Sequence, residues 1–347
     1  MIDATRDHNP VSPGWQRAGA WKKFAVESRC PTAGDTSLRS GHRIVKIDAY
    51  LMRLPAMVLS TCALLVLTVS ASTGVPPFSF LSPGVLADNK ELELQLRTRI
   101  QPFHASGPWA EAQFEAAVAP SKTAIIITDM WDKHWCQGAT HRVGLIAQRM
   151  EPLLAPARAA GILIIHAPSE TMDFYSNAPG RLLAQNAPHA TPPPELAFSD
   201  ALLPIDDSDE GCDTPGDKPH KAWSRETEAL TIAPGDVISD QGQEIYNVLQ
   251  QHHIDTVLFM GVHANMCILN RSFGVRQLSK WGLRCVLVRD LTDAMYNPAS
   301  RPFVSHAAGT ELVIEHIEKY WAPTITSGAL TVALQGEPLR GSQAKTQ

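Results

Sequence analysis

The chain has 347 residues, 44% of them hydrophobic, and 30 basic and 35 acidic side chains mixed along its length give a formal charge of −5. That suffices to bury a substantial core. With no basic run, nucleic acid is excluded as an expected partner.

In chain order, residues 1 to 51 lack a folded pattern and are expected to be unstructured or to precede a true start at Met52. Met52-Arg53 then leads into LPAMVLSTCALLVLTVSA, residues 54 to 71. A short basic start, an apolar centre and the small-residue exit Val69-Ser70-Ala71 are the marks of a secretory signal peptide, here residues 52 to 71. A membrane-spanning helix competes, since about 18 apolar residues nearly cross a bilayer, and the small-residue exit decides for the cleaved signal. A secreted, periplasmic or cell-envelope location is therefore expected. Residues 72 to 120 are read as a connector and covering segment, in which Leu92, Leu94 and Leu96 alternate as in a strand and residues 109 to 118 suggest a short helix.

The main domain is expected over residues 121 to 330. TAIIITDM, from Thr123, reads as a strand buried on both faces. Helical periodicity over 141 to 160 ends at Gly161 before a second buried strand, ILIIHA, so this is a βαβ unit. Residues 168 to 229 form a long insertion rich in proline, aspartate and histidine, of the kind that shapes a site or a lid. Order returns with a short strand at LTI, a helix near 243 to 252, strand TVLFMG, a helix opening at Cys267 and running toward Lys280, strand RCVLVRD and a helix over 309 to 320. An edge strand over 324 to 327 follows, and residues 331 to 347 are expected to be a disordered tail. Such alternation implies an α/β protein, a three-layer Rossmann-like fold with a mostly parallel central sheet and helices on both faces. Active groups then belong at the carboxyl ends of the strands.

Four cysteines lie outside the first two segments: Cys136, Cys212, Cys267 and Cys285. They include no C-x-x-C pair, so neither a structural zinc nor a thioredoxin-like site is expected. Cys285, in an apolar run, reads as a buried inert thiol, and a Cys136–Cys212 disulfide is compatible with export. Cys267 ends the stretch Gly261-Val-His-Ala-Asn-Met-Cys, between a buried strand and a helix. Backbone amides there would lower a thiol pKa and stabilise an oxyanion. From position alone, catalysis and simple packing against the sheet stand about equal.

The segment resembles the cysteine motif of the isochorismatase-like hydrolases, relatives of nicotinamidase and N-carbamoylsarcosine amidohydrolase. Asp129 in IIITDM, the HAP turn after the second strand and RCVLVRDLTDA match in the family's order, and the resemblance covers about residues 121 to 327. It implies that Cys267 attacks a small amide, imide or related carbonyl compound and forms a covalent intermediate, with Asp129 moving the proton. It places the oxyanion hole at the amides of His263 and Cys267 and a cis bond between Val262 and His263, and it implies a homo-oligomer.

The chain also departs from the pattern. At the place of the family's catalytic lysine, the end of its third strand, this chain is read as having Ala233, which favours a catalytically altered or binding-only protein as the alternative. Lys133, Lys218 and Lys221 are the available substitutes, Lys133 first because it lies in the loop after Asp129. His263 stands where a small residue is usual, and Asn265 where aspartate is common. Trp131, His134, His166 and Arg271 are the candidate substrate-binding residues, Arg271 for a substrate carboxylate or an interior salt bridge. No cofactor is expected. A metal on His134, His166 and His263 is disfavoured because HAPSETM replaces the Asp-x-His motif of metal-binding relatives.

Overall fold

The computed structural model describes residues 91–103 and 106–336, so the expected signal over 52 to 71 and the segment before it lie outside the described residues. Among the described residues no helix is long and apolar enough to cross a membrane.

The elements are β1 (Leu92–Ile100), β2 (Ala110–Val118), β3 (Thr123–Thr128), α1 (Gln137–Ala159), β4 (Leu163–Ala167), α2 (Pro179–Gln185), β5 (Val237–Ile238) and α3 (Gly242–Gln251). There follow β6 (Thr256–Val262), α4 (Cys267–Asn270), α5 (Val275–Lys280), β7 (Arg284–Asp293), α6 (His306–Tyr320), β8 (Thr324–Ile325) and α7 (Ser327–Gln335). One eight-stranded sheet has the order β2-β1-β8-β7-β6-β3-β4-β5. From β8 to β5 every neighbour is parallel. This is the expected α/β sheet.

Strand β3 shows why the apolar run folds this way. It lies between β4 and β6, and because side chains alternate across a strand its residues divide between two cores. Ala124 and Ile126 join the face covered by α3, α5 and α6. Ile125 and Ile127 join the face covered by α1 and α7. Each fully buried isoleucine contributes about 1.5–3 kcal/mol, so a run with no polar interruption is what a central strand requires.

Several local expectations are corrected. Residues 110 to 118 form β2 rather than a helix, because register pairing with β1 from Leu92↔Val118 to Ile100↔Ala110 overrides the helical preference of alanine and glutamate. The hairpin extends the sheet instead of covering it, and Arg97 and Arg99 pin it to the buried Glu318 of α6 at 2.6 and 3.2 Å. Strand β8 is consequently internal, between β1 and β7. The third parallel strand is Val237–Ile238, paired with β4, and not LTI, so its end is Ser239 rather than Ala233. Helix α7 carries order to Gln335, beyond the expected boundary at 330. Finally, the helix after Cys267 is broken into α4 and α5, with Arg271 capping the first.

The insertion contains α2 and is otherwise irregular. It is tied down at several points: Asn265 Nδ2 donates to Asp207 at 2.8 Å, Arg276 pairs with Asp200 at 3.0 Å, and Cys136 is bonded to Cys212. Its returning arm lies over the carboxyl end of β3, where Ser224 and the Arg225 amide donate to Asp132.

Candidate active site

Asp129 follows β3 with φ 49°, a left-handed conformation that aspartate tolerates better than most residues, and its side chain is fully buried. The Ser169 amide donates to its Oδ1 at 2.7 Å. Arg271 donates to its Oδ2 through Nε at 3.1 Å and Nη2 at 3.0 Å. Burial pushes the Asp129 carboxyl above the usual carboxylate range, while Arg271, then hydrogen bonds from the Cys267 thiol and Ser169, oppose that rise. The carboxylate is thus a buried base held by a cation.

Cys267 opens α4 beside Asp129, and both the Asp129 carboxyl and the His263 backbone act on its thiol. The lowered thiol pKa expected from a helix start is not found. Helix α4 is only four residues long, and burial, then the Asp129 charge, push the thiol well above its ordinary range despite Arg271 and the His263 amide. The resting thiol is therefore protonated beside the Asp129 carboxyl. Cys285, the other free cysteine among the described residues, is buried and pushed up to about 12 by desolvation.

The turn that presents these groups depends on Gly261. Its φ is +106°, and a Cβ there would stand 2.1 Å from the Thr128 carbonyl oxygen. Close approach of β6 to β3 at this point requires glycine. The peptide bond between Val262 and His263 is cis. Asn265 bridges the loop to Met295, accepting from its amide at 2.8 Å and donating to its carbonyl at 3.1 Å.

The proposed cation is corrected. Lys133 is exposed, and among the described residues the side chain paired with Asp129 is Arg271. Lys218 and Lys221 are exposed as well, Lys221 donating to the Glu170 carbonyl at 2.7 Å. The break between α4 and α5 leaves Arg271 one turn after the cysteine, bonded through its amide to the Cys267 carbonyl. From that position its guanidinium reaches Asp129, so it acts as an interior salt bridge.

His166 is also corrected as a substrate-binding residue. It is fully buried, with Nδ1 2.7 Å from Glu226 and Nε2 3.1 Å from Asp236, and Asp236 is clamped by Arg158 at 2.7 Å. Burial lowers its pKa, but Glu226 and Asp236 outweigh that and raise it to about 9. A protonated imidazole with both nitrogens occupied cannot join His134 and His263 around a metal. The His/Cys/Asp/Glu group with donor atoms close enough for an ion, among the described residues, is Cys136, Cys212 and Asp213, and its two sulfurs are already joined.

Trp131 and His134 do border the site. Trp131 Nε1 donates to the Ser169 carbonyl at 3.0 Å, and its ring stacks on Trp223 at 4.2 Å. His134 lies 5.9 Å from Trp131, 5.8 Å from Trp223 and, edge-on, 5.3 Å from His263. Burial, aided by Arg142 and His220, lowers the His134 pKa to about 4, and burial lowers that of His263 to about 3. Both are neutral imidazoles at neutral pH. Behind them, Asp293 accepts from Arg142 at 2.8 Å and from Thr310, and pairs with His306 at 2.8 Å. Ser169 and Trp223 had escaped the sequence reading, since Trp223 sits in an aperiodic insertion that folds back over the site only in three dimensions.

No family model and no curated protein matches the chain. Among solved structures, it is similar to a cysteine hydrolase from Pseudomonas syringae pv. phaseolicola 1448A, with 19% identity, 63% of this chain and 95% of that one covered, and a TM-score of 0.42. It is similar to an isochorismatase family protein from Burkholderia thailandensis at 16% identity, covering 63% and 97%, with a TM-score of 0.38. A ribonuclease from Caenorhabditis elegans is similar at 13% identity, covering 64% and 85%, with a TM-score of 0.37.

Proposed function

We propose that this chain is an isochorismatase-like cysteine hydrolase that cleaves a small amide, imide or related carbonyl compound through a covalent Cys267 intermediate. The observation that carries this reading is the placement of Cys267 beside a buried Asp129 carboxyl that Arg271 and Ser169 hold in place. The Cys267 proton passes to Asp129 as sulfur bonds to the carbonyl carbon. The oxyanion so formed is received by the amides of His263 and Cys267. Asp129 returns the proton to the leaving nitrogen as the C–N bond breaks, which leaves a thioester. Water, deprotonated by Asp129, then attacks that thioester and the thiol is regenerated.

The binding-only alternative rested on the missing lysine. Arg271 weighs against it, because the carboxylate that must be ionised to take up the thiol proton already has a permanent cation beside it. Export is part of the proposal, and the Cys136–Cys212 disulfide supports it, since such bonds persist in oxidising compartments. The proposal also takes the working form to be a homo-oligomer.

The test is ammonia release from a panel of small primary amides by the full chain. Cys267→Ala and Asp129→Asn should each remove nearly all turnover, and the double variant should be scarcely worse than either, as residues acting in one unit are strongly non-additive. Full turnover in Cys267→Ala would exclude covalent catalysis.

A further inference from the structure

Buried polar groups in folded proteins are normally hydrogen-bonded, and exceptions call for an explanation. Among the described residues, His263 Nε2, Trp223 Nε1, Ser169 Oγ and Thr292 Oγ1 are buried without a partner. Three of these residues stand at or just beyond the carboxyl ends of β6, β4 and β7, and Trp223 stacks on Trp131 just after β3. That is the edge of the sheet where Cys267 and Asp129 meet. Leaving such atoms bare is unfavourable, and a concentration of them beside a nucleophile is what a site for a ligand's polar atoms looks like.

Two of these atoms share a neighbour. His263 is 2% exposed and its backbone acts on the Cys267 thiol, so its ring springs from a residue beside the reacting atom. That ring stands edge-on to His134 at 5.3 Å. Trp223 stacks beside the same His134 at 5.8 Å. An indole nitrogen can only donate, whereas a neutral imidazole offers one donor and one acceptor.

We propose that His263 Nε2 and Trp223 Nε1 form a recognition subsite for an uncharged donor–acceptor group, such as a second carboxamide, carried by the substrate beyond its scissile carbonyl. The carbonyl oxygen of that group accepts from Trp223, and its N–H donates to the His263 lone pair. The identity of the reacting end rests on the hydrolase reading above; the subsite itself requires only binding. An aliphatic chain of equal size leaves both atoms buried and unpaired, and sites built to hydrogen-bond a ligand reject the analogue lacking that group far more strongly than they discriminate a methylene.

The experiment measures binding to the full chain carrying Cys267→Ala, which cannot turn over, by titration calorimetry. The probes are malonamide and succinamide, each set against its isosteric monoamide, 3-methylbutanamide and 4-methylpentanamide. At least one diamide should bind about tenfold tighter than its monoamide or better. Trp223→Phe, which keeps the ring and removes the donor, and His263→Leu should each erase that advantage, while His263→Gln should keep part of it. Wild-type-like melting of the variants establishes that they are folded. Equal affinity within both pairs, no binding by either diamide, or an advantage that survives both Trp223→Phe and His263→Leu would overturn the proposal. A diamide preference in a chain that releases ammonia from no amide would sink the hydrolase reading alone, and turnover without any preference would sink the subsite alone.

Discussion

Replacing Arg271 by methionine isolates the electrostatic support of the proposed base. The guanidinium makes two contacts to Asp129 Oδ2, at 3.1 and 3.0 Å, with a carboxylate that is fully buried and an arginine side chain that is 29% exposed. Removing one partner of a fully buried pair costs about 3–5 kcal/mol, and the exposure of Arg271 reduces that to about 2–3 kcal/mol, since water screens part of the attraction. Asp129 escapes the penalty by taking up a proton. Burial already raises its pKa and Arg271 opposes the rise, so losing the arginine raises it further. A protonated Asp129 cannot accept the thiol proton. Turnover near neutral pH should therefore fall about 10²-fold, at about 1.4 kcal/mol per factor of ten, and the acid limb of kcat/KM should move to higher pH with partial recovery under alkaline conditions. Arg271→Lys keeps the charge and loses the forked contact, so it should lose about tenfold with a smaller displacement of the limb. The assay is the pH profile of ammonia release from an amide that the wild-type chain hydrolyses, with Lys133→Met as a control expected to behave as wild type. An Arg271→Met variant with wild-type turnover and an unmoved acid limb would refute the reasoning.

His166 is held protonated between Glu226 and Asp236, at about 9 against an ordinary 6.5, so it contributes stability that is complete below pH 6.5 and lost as pH rises through about 9. The difference corresponds to about 3 kcal/mol, and melting temperature should fall across that window in the wild type but not in His166→Gln; parallel profiles would contradict this. Reducing the Cys136–Cys212 bond, which spans 76 residues, should cost about 2–4 kcal/mol and lower the melting temperature, whereas Cys136→Ser should show no further loss on adding reductant. Gly261→Ala forces a Cβ to within 2.1 Å of the Thr128 oxygen at φ +106°, and strain of this kind costs more than 1 kcal/mol. It should displace the cysteine turn and abolish activity, and crystallography of an active Gly261→Ala chain would disprove that requirement.

The layers of this fold were legible in one dimension because burial on both faces leaves a local mark. The unbroken apolar runs of β3 and β6 are of the kind that strands buried on both faces carry, and the alternation of such runs with helical periods gave the mostly parallel sheet. Asp129 and Cys267 were legible for the same reason, since the first directly follows such a run and the second ends the short turn after another, so both had to emerge at the carboxyl edge. Where pairing rather than burial decides, the local signal misled: AEAQFEAAV has the composition of a helix, yet it is a strand because β1 offers it nine partners in register. The strand at Val237–Ile238 is two residues long, too short for any period to register, and that displaced the expected lysine position from Ser239 to Ala233. Arg271, Trp223 and Glu226 owe their roles to distance alone. Arg271 is 142 residues from the carboxylate it holds, Glu226 is 60 from His166, and Trp223 reaches Trp131 only because the insertion folds back across the sheet. Contacts between residues so far apart along the chain are set by how the packed layers close on one another, and no periodicity of the sequence encodes them.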